Sequence, residues 1–408
     1  MRQHLLRAKR LAPSMNRTGQ YSVRQKSWFI TLLGHAFLVQ AIAILLRMAI
    51  VYQSAAIHLG DLWIGIIGGA FGLLPAVLGL HVGRFIDQRG ETLALIWGSA
   101  AMMAAAIALT LAPDYLLTLL LGSIALGTGQ FLGIVSQQSA ASKPAEPDRA
   151  KSLGTLTLAI AMAQAAGPLG VSLLSNGSVL PDTQKIFEAG TVLCAISLAF
   201  ALLISLPHHP PSTAKQGVFR TAMTLVRIPG YHLATYSSLV IFGAMDLLVM
   251  YLPLYGMEQN ISASTIGVLL SVRATASILS RFFFSRLLLW LGREMLLLLS
   301  LGISAAAVGL LMLTASPWLM AISLFCAGLG LGLGAPLTLA WLADIVPQEI
   351  RGSAFSLRLA VNRVGQSTLP VGAGLLAGPL GIAGVFLAMA LSLGINTAVA
   401  ARIYLRQG

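Results

Sequence analysis

Twelve apolar runs of about twenty residues recur along this 408-residue chain, and each is long enough to cross a hydrocarbon layer as a helix. They fall near 28–50, 61–82, 93–112, 115–138, 152–174, 186–206, 231–254, 262–285, 294–314, 318–341, 353–376 and 380–404, separated by Gly, Pro and charged residues. In lipid a segment of this length satisfies its backbone polar groups as a helix. The expected fold class is therefore an all-α integral membrane protein with twelve transmembrane helices. The composition agrees: 57% apolar residues, 10% charged residues and a mean hydropathy of +0.83 fit no soluble class. Twelve spans of about 20 residues occupy roughly 240 positions and leave only short connections, which disfavours a soluble enzyme and a free nucleic-acid binder.

A net charge of +13 would suggest nucleic acid in a soluble chain, so the placement of the 26 basic residues matters. Arg2, Arg7, Lys9, Arg10, Arg17, Arg24 and Lys26 all precede the first apolar run, and no acid occurs before Asp61. The positive-inside rule then puts the N-terminus in the cytoplasm, and the first run reads as a retained helix rather than a cleaved signal. With that start, the terminal segments and even-numbered connections, with Arg281 at a helix end, hold 21 basic residues. The opposite connections hold Lys185 alone, and four arginines remain inside the apolar runs. The expected home is a bacterial cytoplasmic membrane, multi-pass, with both termini inside. Cys194 and Cys326 lie within apolar runs without a pairing pattern and read as free thiols.

The two halves of the chain match at an offset of 202 residues. Ile64-Gly65 falls on Ile266-Gly267, Arg84 on Arg286, Gly90 on Gly292, Arg149 on Arg351, Gln164 on Gln366, Pro168 on Pro370 and Gly170 on Gly372. Punctuation shared at one constant offset indicates a duplicated six-helix unit. The expected organisation is a basic tail over 1–27, a six-helix half over 28–206, a linker over 207–230 beginning Pro207-His208-His209-Pro210-Pro211, and a second half over 231–408. Parallel repeats of this kind place a substrate site between the halves near mid-membrane.

The segment Gly83-Arg84-Phe85-Ile86-Asp87-Gln88-Arg89-Gly90, between the second and third apolar runs, resembles the signature loop of the major facilitator superfamily; a degenerate copy, Ser285-Arg286 through Gly292-Arg293, lies between the eighth and ninth. The resemblance implies two pseudo-symmetric six-helix bundles and transport by alternating access. It also implies conformational roles for Gly83, Arg84, Asp87 and Gly90. Asp87 would accept from free N–H groups at a facing helix N-terminus, the alternative being a solvated loop charge. There are departures: Glu91-Thr92 stands where the superfamily usually continues with basic residues, and Ser123 where an arginine is common, so the basic partners of the usual charge relay are absent at these positions. Gly167-Pro168-Leu169-Gly170 resembles part of a motif associated with antiporters, although a Gly-Pro kink serves any rocking transporter.

Charges inside apolar runs are costly and point to function. Five stand out away from the ends of their runs: Arg47, Asp246, Arg273, Arg358 and Arg363. Asp246 lies eight residues before 254 and Arg273 eleven after 262, so at about 1.5 Å per residue their depths differ by ~5 Å and pairing is feasible. The repeat maps Asp246 onto position 44, one turn from Arg47, which suggests an Arg47, Asp246 and Arg273 cluster with Arg47–Asp246 as a gate strut. At about 100° per residue, Arg358, Asn362, Gln366 and Pro370 share one face of the eleventh segment, with Arg363 at its margin. Ser123, Gln130 and Gln137 recur every seven residues in the fourth segment, and Gln40 is nearly in line with Arg47 in the first. Arg47, Arg273, Arg363, Asn362, Gln366, Gln130, Gln137 and Gln40 are the expected substrate-binding residues, with interhelical hydrogen bonding the alternative for the two helix-4 glutamines. Asp246 and Arg47 are the expected proton-coupling and gating pair. His35 is an alternative titrating group that also suits packing.

Four arginines against one carboxylate favour an anionic substrate, since a guanidinium presents a fork to carboxylate or phosphate. The expected function is a secondary transporter carrying a small organic anion or amphiphilic acid, with protons as candidate coupling ions; the alternative is a multidrug or metabolite efflux proton antiporter. No Walker loop, Ser in a G-x-S-x-G, or His-Glu cluster occurs, so no enzyme activity, cofactor or metal is expected. The expected partners are a small-molecule substrate and membrane lipid, with no nucleic acid, and the expected state is a monomer.

Overall fold

The structure, a computed structural model, describes residues 16–143, 148–204, 206, 224–225, 227–347 and 350–405, without the side chains of 16–27, 80, 83, 84, 87, 148–150, 335, 351–353, 356, 403 and 405. Residues 1–15 of the basic tail and most of the expected linker lie outside the described residues, whereas the backbone of 16–27 continues the first helix. Helices account for nearly all the rest: α1 (Asn16–Ala56), α2 (Asp61–Arg89), α3 (Glu91–Leu111), α4 (Leu116–Ala141), α5 (Asp148–Leu174), α6 (Thr183–Leu203), α7 (Tyr231–Glu258), α8 (Ala263–Phe282), α9 (Phe284–Leu311) and α10 (Pro317–Ile345). Several run past the apolar segment that marks them. Hydropathy reports the thickness of the lipid, whereas the backbone ladder continues into polar surroundings without cost.

The last helical stretch, Arg351–Leu405, counts 55 residues and holds Gly381 at φ 67° and ψ 177°. At 1.5 Å per residue it would be about 80 Å long, far more than a bilayer, so it is two helices, α11 over 351–380 and α12 over 382–405. Contacts fix their opposite directions. Ser238 and Asp246 of α7 bond Asn362 and Gln366 of α11 in parallel order, whereas Gly309 and Gly302 of α9 meet Ala390 and Thr397 of α12 in reverse order. Twelve long helices result among the described residues, of which the last two are joined by a single glycine rather than a loop. Gly381 adopts a conformation that only glycine enters readily. Gly90 (φ 86°, ψ 158°) and Gly292 (φ 71°, ψ 170°) do the same at matched places in the repeat. The first joins α2 to α3, and the second divides α9 into 284–291 and 293–311.

Helices α1–α6 pack among themselves, as do α7–α12, and three pairs tie the two sets together: α2 with α11, α5 with α8, and α1 with α7. The repeat becomes physical here. A Cβ on Gly65 would stand 2.5 Å from the carbonyl oxygen of Pro370, and a Cβ on Gly267 would stand 2.5 Å from that of Pro168. Both residues and both partners are related by the offset of 202, so each half inserts its proline-bearing helix against the glycine of the other. Absent side chains let the backbones approach, which is how helices associate in lipid.

Calling the face where α1 begins and α12 ends the termini side and the other the distal side, the described bonds between halves cluster distally. Ala263 N–H donates to Ser178 O at 2.8 Å, Ser172 and Ser264 share a hydroxyl bond of 2.9 Å, and Ser271 donates to Ala165 O at 2.9 Å. The halves are thus closed at the distal side. Within the second half, α10 offers the carbonyls of Gly328, Gly330 and Gly332 to Ser277 (2.9 Å), Ser300 (2.7 Å) and Arg281 (3.2 Å).

Close backbone packing also holds the first half together: a Cβ on Gly127 of α4 would collide with the carbonyl group of Phe71 in α2, whereas one on Gly154 meets nothing within 4 Å. Gly127→Ala should therefore cost about 1–3 kcal/mol and lower the unfolding temperature of the purified protein in a fluorescence thermal scan. Gly154→Ala should leave it unchanged or slightly higher, since Ala is the better helix former.

Candidate functional site

Asp246 sits midway along α7, which is buried over most of its length against both halves. Its carboxylate is held from two directions. Arg47 of α1 donates through Nη1 and Nη2 to Oδ1 and Oδ2 at 2.5 and 2.9 Å, a bidentate fork across the boundary between halves. Gln366 of α11 donates through Nε2 to Oδ1 at 3.2 Å. The Arg47 guanidinium also lies 4.2 Å from the centre of the Phe71 ring, so α2 covers its open face. Breaking a buried pair of this kind by removing one partner typically costs about 3–5 kcal/mol.

The polar face of α11 turns toward α7 because its four-residue spacing keeps pace with a parallel neighbour. Ser238 of α7 bonds Asn362, Asp246 bonds Gln366, and the Tyr251 hydroxyl donates to Pro370 O at 2.9 Å. Arg358 is buried rather than turned to the surface and donates to Ser238 at 2.9 Å and Thr338 at 3.4 Å. Arg363, at the margin of this face, points elsewhere. Its Nη1 donates to Gln366 Oε1 at 2.6 Å, and its guanidinium lies 4.8 Å from the centre of the Phe131 ring on α4. Gln366 therefore bridges Arg363 to Asp246, and a continuous path of hydrogen bonds runs Arg363, Gln366, Asp246, Arg47. No carboxylate pairs with Arg363 among the described residues.

In the first half, Gln130 of α4 donates to Gln40 of α1. Gln137 is fully buried and bonds His35 Nδ1 at 3.0 Å, while His35 Nε2 bonds Ser99 of α3 at 2.9 Å. The α4 stripe thus divides in function. Ser123 donates to Ile67 O at 2.6 Å and, with Arg47, Ser54, Gly68 and Met250, lines a small cavity beside the Arg47–Asp246 pair. Gln130 faces α1, and Gln137 serves the packing of α1, α3 and α4. Arg273 departs from the expected cluster: it is 2% exposed, its Nε and Nη1 have no hydrogen-bond partner, and no described contact joins it to Asp246.

A sequence profile of the Major Facilitator Superfamily matches residues 28–293 and again 236–407, together nearly the whole chain. The chain belongs to the major facilitator superfamily. Solved structures with the same fold include a POT family transporter in complex with a thioalcohol-conjugated peptide (14% identity, TM-score 0.75, covering 93% of this chain and 96% of that one). A bacterial homologue of the human lysosomal transporter Spinster in an inward-facing, occupied conformation shares 16% identity with a TM-score of 0.72, over 94% and 98% of the two chains. The nucleoside transporter NupG shares 16% with a TM-score of 0.70, over 92% and 99%. Among curated proteins none matches the sequence. Identities this low establish the fold alone, and the chain is a multi-pass transporter of this superfamily.

Against the superfamily pattern, the side chains of Arg84 and Asp87 and the surroundings of Gly83 lie outside the described residues, and Gly90 supplies a joint of positive φ. Glu91, where the superfamily usually has a basic residue, caps the connection differently. It accepts from Ser139 at 2.9 Å and from Lys143 at 2.8 Å at the end of α4. The second half repeats the contact with signs exchanged, Arg293 donating to Asp344 at 3.1 Å. Gly167 abuts Ala41 and Ile44 of α1, and Pro168 meets Gly267 of α8. Neither ring platform, Phe71 or Phe131, stood out in the sequence, because an aromatic in an apolar run carries no sign of a cation beside it.

Neutralising either Arg47 or Asp246 should lower the unfolding temperature and reduce transport. Exchanging the two charges, Arg47→Asp with Asp246→Arg, should recover more of both than either single exchange keeps, as a double-mutant cycle measures. A double exchange no better than the singles would show that the contact does not bear on the cycle.

Proposed function

We propose that this superfamily transporter carries a small organic anion or amphiphilic acid across the cytoplasmic membrane by alternating access. The observation that carries the reading is Arg363. The charge of Arg47 is balanced by Asp246, whereas Arg363 is held by an amide and an aromatic ring and keeps a whole positive charge near mid-membrane. A substrate carboxylate or phosphate supplies the missing partner. Arg273 adds a second buried cation with free donors, and Asn362, Gln366, Gln40 and Gln130 supply neutral hydrogen-bonding groups, whereas Gln137 is taken up by His35.

The distribution of basic residues supports a cytoplasmic termini side, so the closed distal side faces outward and the Arg47–Asp246 fork acts as its strut. Asp246, the carboxylate of this cluster, is then the group through which protons couple. The efflux-antiporter reading leans on Gly167-Pro168. The matching contact at Pro370 makes that kink a property of both halves and not a mark of direction.

Vesicles with an imposed proton gradient should accumulate or expel labelled organic acids and ignore cationic dyes. Arg363→Gln should raise KM for the acid about tenfold or more, the loss of one charge-assisted hydrogen bond of about 1.5–3 kcal/mol. Dye transport that survives loss of both Arg273 and Arg363 would overturn the anion reading.

A further inference from the structure

The second copy of the signature loop has lost its polar character. At the offset of 202, Asp87, Gln88 and Arg89 become Leu289, Trp290 and Leu291, preceded by Phe282-Phe283-Phe284. Whereas α2 continues unbroken to Arg89, the matching stretch breaks at Phe283 (φ −90°, ψ 0°), where α8 ends and the 284–291 segment of α9 begins. The 20 residues of α8 already span about 30 Å, the thickness of the hydrocarbon, so the segment that follows lies at the edge of the membrane on the termini side. One face of it, Phe284, Leu287 and Leu288, packs against the protein core. The other is bare: Phe282, Leu289 and Trp290 are 82%, 84% and 83% exposed, with Arg286 exposed between them and not ion-paired among the described residues.

Three large apolar side chains would be stranded in water there, yet the bare face continues the lipid-facing row of Leu279 on α8 and Met295 on α9. Trp, Leu and Arg together are the composition of a segment lying in the interfacial layer, the indole at headgroup depth and the guanidinium reaching phosphate. We propose that residues 282–291 are seated in the phospholipid leaflet on the termini side, with Phe282, Leu289 and Trp290 among acyl chains and Arg286 at lipid phosphate. The two signature loops then have different solvents: the first is polar and hydrated, and the second is a lipid anchor for the α8–α9 hairpin.

The full-length protein, with its five other tryptophans changed to Phe, tests this in nanodiscs made with lipids brominated near the headgroup. Trp290 should lose most of its emission to bromolipid and little to aqueous acrylamide. Quenching by acrylamide and not by bromolipid would place the segment in water, and protection from both would place it under protein, such as a second copy; either overturns the proposal. If that variant does not fold, a nitroxide on Leu289→Cys, with Cys194 and Cys326 changed to Ala, reads the same distinction. Collision with oxygen above collision with a water-soluble nickel chelate supports insertion, and the reverse order sinks it.

Discussion

Everything in this transporter hangs on two backbone contacts that are one contact repeated: Gly65 against Pro370 and Gly267 against Pro168. Lipid offers no hydrophobic drive to bring helices together, so association rests on close packing of small residues and on hydrogen bonds. Placing a glycine of each half against the proline-bearing helix of the other gives two equivalent pivots. Between those pivots α1 and α7 are brought face to face, and only there do the intramembrane charges of the two halves meet.

The charges that meet are unequal in kind. Arg47 and Asp246 form a neutral bidentate pair that joins the halves, and Arg363 remains cationic, linked to that pair through the single amide of Gln366. An anion that engages Arg363 competes for a donor that Gln366 now accepts from, and Gln366 in turn holds Asp246. On the proposed reading, occupancy of the site and integrity of the cross-half pair are two ends of one hydrogen-bonded path.

Most of the fold was legible in the sequence because a helix crossing lipid has to be apolar over a fixed length. Helix ends were less so, since α1 and α2 continue into polar residues that hydropathy does not score. The offset of 202 brought Arg47 and Asp246 to one level, and the structure makes that contact. Depth arithmetic did the same for Arg273 and Asp246, yet it fixes height and not rotation about the axis. Arg273 lies on the side of α8 that packs on α10, where Ser277, one turn on, bonds Gly328, and so it does not face α7's carboxylate. Rotation was legible only for α11, whose polar residues repeat often enough to define a face; that face turns out to serve α7, with Arg363 alone swung toward α4. The Glu91–Lys143 and Arg293–Asp344 contacts were invisible because each joins residues about fifty positions apart with no periodic signal.

Those last two contacts carry an electrical consequence. A two-fold relation about the membrane normal would stack identical ion pairs with parallel dipoles, and opening both would move charge through the field. Here the acid begins the third helix in one half, whereas in the other the base opens the 293–311 part of the ninth, so matched helix starts carry opposite charges. Opening both pairs would therefore uncover an acid where one half starts its helix and a base where the other does, so the two halves do not present the same charge at this face.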